Sequence, residues 1–192
     1  MRPLAGASGW CVHILLLYGL AFGVCCRLRE ILFAVITSLP RYGNNDNMSM
    51  DLLQATPQGL YCPQGDFHVD PWQPVQRAVI THSHADHARW GSKRYLAADT
   101  GKEVLRIRLG EQADLEFQPL GKTRTINGVK VTFFPAGHIL GSAQVQIEKD
   151  GQSIVVSGDY KRHADATCQT FEPVHCHTFV TESTFGLPIY RW

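Results

Sequence analysis

Neither sign of charge prevails in this sequence. Eighteen Lys and Arg stand against 17 Asp and Glu in 192 residues, a formal net charge of +1. That balance removes any bulk electrostatic argument for a phosphate-binding surface, and it gives none against one. No C-x-x-C pair occurs among the six cysteines, Cys11, Cys25, Cys26, Cys62, Cys168 and Cys176. Their spacing suggests neither a disulfide framework nor a Cys-rich zinc knuckle, so free or buried thiols in a reducing, cytoplasmic setting are expected. Internal repeats and low-complexity segments are missing as well.

Long apolar runs are also scarce. Residues 10–26 are apolar apart from His13, and residues 31–39 form a second, shorter run after Arg27, Arg29 and Glu30. A membrane span needs about 20 apolar residues, so the first run sits at the lower limit and the second is too short. A signal peptide is poorly supported too: one basic residue, Arg2, precedes the run, and no small-x-small cleavage site follows it. Membrane attachment is therefore not expected. Residues 1–50 are read as an apolar extension of uncertain status, with Met48 or Met50 as a natural start, and residues 51–192 as one domain or part of one.

What is present is short strands with tight turns. The pattern predicts a strand through Phe67 and Val69 ending at Asp70-Pro71, and another over Arg77 to Thr81. Residues 82–90 are read as a loop entering a helix. Asp99 is read as the cap of a helix running through Glu103, Val104, Leu105 and Ile107, with Gly110 ending it. Asn127-Gly128 and Asp150-Gly151 are hairpin turns. Val129, Val131 and Phe133 alternate with Lys130 and Thr132, and Val145 and Ile147 alternate with Gln144, Gln146 and Glu148, as on half-buried strands. Ile154 to Val156 and Phe179 to Thr181 complete the set. A β-rich layer with helices against it fits an α/β (α+β) sandwich.

Nine histidines are present, and they cluster. Residues 81–87 read T-H-S-H-A-D-H, with His82, His84, Asp86 and His87 as four candidate ligands at the end of a strand. Side chains two apart on an extended strand end point the same way, so His82 and His84 share one focus. Asp86 and His87 come after the chain turns and can face a second. Two such foci make a binuclear site, and imidazole with carboxylate suits zinc, manganese or iron.

The H-x-H-x-D-H pattern resembles the signature of the metallo-β-lactamase superfamily. Further elements of that resemblance follow in order: Asp70 in F-H-V-D-P, His138 in A-G-H-I-L-G-S, and Asp159 in S-G-D. Alone, S-G-D reads as a turn; in series with the others it is strong. The wording around His138, with Glu182 in E-S-T-F-G, is similar to the β-CASP nucleases, although Glu182 alone would read as a surface carboxylate. Leu60-Tyr61-Cys62-Pro63, Asp70-Pro71-Trp72 and residues 185–192 look closest to bacterial ligase-associated DNA exonucleases, a group whose relatives are also called messenger-RNA 3′-end processing factors. The resemblance spans about residues 60–192.

The resemblance implies an αββα sandwich, here in its N-terminal half only, truncated near the start of a β-CASP region. It implies two divalent ions, zinc by preference with manganese as a substitute. His82, His84 and His138 would hold one, Asp86 and His87 the other, and Asp159 would bridge them. Asp70 would orient the ligand loop from behind. Asp86, Asp159 and Glu182 are the candidate catalytic carboxylates, with the cations acidifying a water that attacks phosphorus. The implied partners are single-stranded DNA, or RNA, and functionally a DNA ligase. The family's second half, with the last ligand of the second metal and the general acid, is not in this sequence. The chain alone is therefore expected to bind one metal well and the second weakly, and to be poorly active. Other readings are a glyoxalase II-like thioesterase, which the A-G-H-I-L-G-S and E-S-T-F-G wording argues against, and an inactive metal-binding module.

Overall fold

The structure, a computed structural model, describes residues 13–17 and 52–182, the first of these as backbone only. The start at Met48 or Met50, the second apolar run, most of the first, and the residues of E-S-T-F-G after Glu182 lie outside the described residues.

Twelve strands and one α-helix are described. They are β1 (His13–Leu17), β2 (Gln54–Thr56), β3 (Gly59–Cys62), β4 (Phe67–Val69), β5 (Arg77–Ile80), β6 (Arg94–Ala98), α1 (Lys102–Leu109), β7 (Leu115–Gln118), β8 (Thr123–Ile126), β9 (Val129–Pro135), β10 (Ala143–Lys149), β11 (Gln152–Val156) and β12 (Thr178–Glu182). They form two six-stranded sheets, ordered β2-β3-β4-β5-β6-β7 and β1-β12-β11-β10-β9-β8. In the first sheet β4, β5, β6 and β7 run parallel. In the second, β8 to β11 are antiparallel neighbours, and β12 runs parallel to β11 and to β1.

The period-2 alternation of strands separates two cores. Val79, Leu96 and Ala98 point between the sheets, where they meet Phe133, Val145, Ile147, Val156 and Val180. Their neighbours Ala78, Ile80, Tyr95 and Ala97 point the other way and pack with Leu105 of α1. Strands covered on both faces read as continuous apolar runs, as R-A-V-I does. The result is a layered sandwich of the class expected from the sequence, with one helical layer among the described residues. No described helix is long and apolar enough to cross a membrane.

Both hairpin turns are where the sequence puts them. Asn127 and Gly128 (φ 49° and 82°) join β8 to β9, and Asp150 and Gly151 (φ 50° and 79°) join β10 to β11. Paired positive φ values match the right-handed twist of the strands they connect.

Three local expectations need correction. Residues 82–90 enter no helix: a single i→i+4 bond, from Ala88 N–H to the His84 carbonyl (2.8 Å), closes one turn. The chain must return across the sheet to begin β6 at Arg94, so the turn is not propagated. Asp99 does not cap through its side chain. It lies within a 3₁₀ turn (Asp99–Gly101), and the N-cap of α1 is Gly101, without a side-chain cap bond. Gln144 is not on a solvated face. It is fully buried, and its Nε2 donates to the carbonyls of Pro135 (2.9 Å) and Glu172 (2.7 Å). Gln146 Nε2 reaches the His175 carbonyl (3.1 Å), so the two glutamines tie the segment after β11 to the outer face of the second sheet.

Phe133 fills the space between the sheets with no exposure. Phe133→Ala should lower unfolding stability by about 3–5 kcal/mol, measured by denaturant titration; a loss under about 1 kcal/mol would show that the inter-sheet core does not depend on it.

Candidate metal centre

The site forms where strands of both sheets end together. Asp70 follows β4, Thr81 and the ligand loop follow β5, Asp159 follows β11, Glu182 ends β12, and His138 lies between β9 and β10. A backbone bond from Ala143 N–H to the Thr81 carbonyl (2.8 Å) joins the two sheets at this point.

His82, His84, His138 and Asp159 each offer one ligand atom, and these four atoms lie within 4.8 Å of one another. His82 Nε2 is 3.1 Å from His84 Nδ1, and His84 Nδ1 is 3.3 Å from His138 Nε2. Asp159 Oδ2 is 3.5 Å from His138 Nε2 and 3.7 Å from His82 Nε2. A tetrahedral zinc with arms of about 2.0–2.1 Å has its ligand atoms roughly 3.3 Å apart. The donor set therefore fits a divalent cation in size and in chemistry.

The second expected set is looser. His87 Nε2 faces Asp159 Oδ1 at 3.2 Å and Asp86 Oδ2 at 3.7 Å. Asp86 is 56% exposed at its side chain, whereas His82 is fully covered. The two oxygens of Asp159 thus divide between the sets, Oδ2 toward His82 and His138 and Oδ1 toward His87.

Asp70 sits behind both. Its Oδ2 accepts from His87 Nδ1 (2.7 Å) and from the Thr81 hydroxyl (2.5 Å), and its Oδ1 accepts from Thr81 N–H (2.8 Å). Glu182 is not among the four grouped ligands, but its charge acts on His138. Its Oε1 accepts from Tyr160 N–H (3.3 Å), directly after Asp159. Ser142 and Thr81 stand inside the quoted motifs, yet the sequence reading gave them no part. Ser142 Oγ accepts from the N–H groups of His138 (3.0 Å) and Ile139 (3.2 Å) and so shapes the His138 loop. The signal available was a hydroxyl residue within the wording around each ligand. Gly158, at φ 56°, presses on Thr81: a Cβ there would lie 2.6 Å from Thr81 Oγ1.

The electrostatics follow from this packing. Burial, with the nearby His87, drives His82 down to about 3, so its ring is neutral. Burial also opposes charge on His87, but Asp70 and Asp159 outweigh it and raise that group to about 11. Burial alone would raise Asp70 and Asp159; the facing histidines instead hold both below the usual carboxylate range. His138 is lowered by burial despite Asp159. A cation at the second set would displace the proton that His87 shares with Asp159, since ligating imidazole must be neutral.

The tighter set should bind first. Zinc titration followed by calorimetry is expected to show one strong and one weaker event. His84→Ala should remove the strong event, and Asp86→Ala should weaken only the second. Two equal, tight events would contradict this ordering.

No family model matches the sequence. Among curated proteins, a probable DNA ligase of Opitutus terrae is 32% identical over 134 residues, 69% of this chain and 13% of that protein. Endoribonuclease YSH1 of Kluyveromyces lactis is 42% identical over 175 residues, 79% of this chain and 22% of that protein. The chain thus spans less than a quarter of the length of either relative. Among solved structures, metallo-β-lactamase SMB-1 bound to 2-mercaptoethanesulfonate aligns with 54% of this chain and 55% of its own at 18% identity, with a TM-score of 0.38. Zinc-bound PqqB from Methylobacterium extorquens aligns with 42% of this chain and 37% of its own at 14% identity, with a TM-score of 0.34. Sequence kinship to nucleic-acid enzymes coincides with three histidines and an aspartate gathered at one end of the sandwich, and the chain belongs to the β-CASP nuclease branch of the metallo-β-lactamase superfamily.

Proposed function

We propose that this chain carries the cation-binding part of a metal-dependent nuclease that hydrolyses phosphodiester bonds, a DNA exonuclease working with a ligase in DNA repair. The observation that carries this reading is Asp159, whose two oxygens face two separate sets of donors. In this reading His82, His84, His138 and Asp159 would hold one divalent ion, and Asp86 and His87, with Asp159 between the two sets, would hold the other. Zinc suits the donors, and manganese is the alternative. Such a pair of cations, when bound, lowers the pKa of water and neutralises charge on phosphate oxygens.

The chain's own groups have separate tasks. Asp70 orients His87 through Nδ1 and leaves Nε2 toward Asp159. Glu182 holds the backbone after Asp159 through Tyr160 N–H. Asp86, the exposed carboxylate beside His87, would take a proton from water. A DNA substrate, proposed here to be single-stranded, and cooperation with a ligase accord with the Opitutus terrae relative, whose name is that of a probable DNA ligase. The name of the Kluyveromyces lactis relative supports a second reading, an RNA-processing nuclease using the same site.

End-labelled single-stranded DNA and matching RNA, incubated with the chain and zinc or manganese, separate these readings. The expected outcome is slow shortening of DNA that chelator stops and Asp159→Ala abolishes without loss of fold. Shortening of RNA alone would replace the DNA reading. Cleavage that survives Asp159→Ala would refute the two-cation assignment.

A further inference from the structure

Thr81 touches the segments that carry Asp70, His138 and Asp159. Its carbonyl accepts from Ala143, just beyond the His138 loop; its N–H and hydroxyl meet Asp70; its side chain packs on Gly158, next to Asp159; and its Oγ1 lies 3.1 Å from Nδ1 of His82. It is 1% exposed, so water does not substitute for these partners.

The proton inventory of this cluster has one consistent solution. A hydroxyl carries one hydrogen and can also accept, while an ionised carboxylate only accepts. Asp70 Oδ2 receives the Nδ1–H of His87, so it faces Thr81 as an acceptor. The single Thr81 hydrogen therefore goes to Asp70 Oδ2, 2.5 Å away. Toward His82, Oγ1 has only a lone pair left, and the 3.1 Å contact is a bond donated by Nδ1–H of His82. An imidazole that ligates a cation is neutral and has one N–H, so with Nδ1 donating to Thr81 it is Nε2 of His82 that offers the lone pair. That is the atom facing His84 Nδ1 and Asp159 Oδ2.

We infer that Thr81 is a positioning residue whose hydroxyl relays the Asp70 carboxylate to His82 and fixes the tautomer in which Nε2 is ready to bind a cation. Asp70 then prepares one histidine of each set, His87 directly and His82 through Thr81. Outer hydrogen-bond partners of this kind fix the tautomer and ring direction of ligating histidines. The inference rests on the proposed cation site, but the tautomer is a property of the metal-free protein and can be read without any cation.

The test is a long-range proton–nitrogen correlation spectrum of the histidine rings in the metal-free chain, with zinc affinity measured alongside for Thr81→Val and Thr81→Ser. The unsubstituted protein and Thr81→Ser should show His82 protonated at Nδ1. Thr81→Val, similar in shape but without the hydroxyl, should lose that signature and bind zinc roughly 10–100-fold more weakly, while Thr81→Ser stays close to the unsubstituted affinity. A His82 proton on Nε2 in the unsubstituted protein would overturn the relay, and this reading holds even if Thr81→Val does not fold. Zinc binding by a folded Thr81→Val as tight as in the unsubstituted protein would also overturn it, as would Thr81→Ser failing as badly as Thr81→Val. Failure of the unsubstituted chain to bind zinc at all would instead count against the proposed function and leave the ring spectrum to decide the relay.

Discussion

The Asp70 carboxylate, at the end of β4, is the group on which the ligand loop depends. It receives three donors from the loop that follows β5: the N–H and hydroxyl of Thr81 and Nδ1 of His87. A buried carboxylate is costly unless hydrogen-bonded and paired, and here the loop itself supplies that compensation. Asp70 also adopts a positive φ of 44° while its N–H donates to the Val79 carbonyl. Its backbone therefore turns at the strand end while staying tied to β5. The loop and the carboxylate hold each other in place, and the histidines inherit their directions from that arrangement.

The sandwich explains why ligands far apart in sequence meet. Parallel strands β4 and β5 finish at the same end, so Asp70 and Thr81 come together without a long connection. In the second sheet β9 and β11 flank the antiparallel β10, so the ends of β9 and β11 lie at one edge of the sandwich, bringing His138 and Asp159 together. The cross-sheet bond between Ala143 and Thr81 fastens these two pairs of ends. The dry core below, with Phe67, Phe133 and Val145 unexposed, keeps the sheets at a fixed spacing. Rigid packing of this density transmits position, so the four donor atoms need no loop closure to converge.

The two donor sets differ in character. The first is built on His82, fully covered and neutral, and its four atoms come from three separate segments. The second relies on His87, held in its charged form by two carboxylates, and on Asp86, which stands largely in solvent. A cation at the first set replaces few contacts, whereas one at the second must expel a proton and order an exposed side chain. The more exposed part of the site is therefore the set that includes Asp86.

Much of this was legible in the sequence. The density of His and Asp in residues 81–87, and the ordered sequence of Asp70, His138 and Asp159, announced a metal centre, because those side chains carry their ligand chemistry wherever they are placed. Asn127-Gly128 and Asp150-Gly151 fixed their hairpins, because a tight turn with two positive φ values accepts few residue types. The alternating strands of the core followed from period-2 patterning. What the sequence did not determine depends on distant partners. Gln144 looked like a solvent-facing residue, and it became buried because the segment carrying Glu172 crosses over it. Asp99 looked like a helix cap, and a tight turn packed against Gly141 moved the cap position to Gly101. Thr81 was only a letter before the first histidine until the sheets brought Asp70, Ala143 and Gly158 around it. Local chemistry is written in the residues themselves; which oxygen receives which proton is decided only when chain segments dozens of residues apart share one buried space.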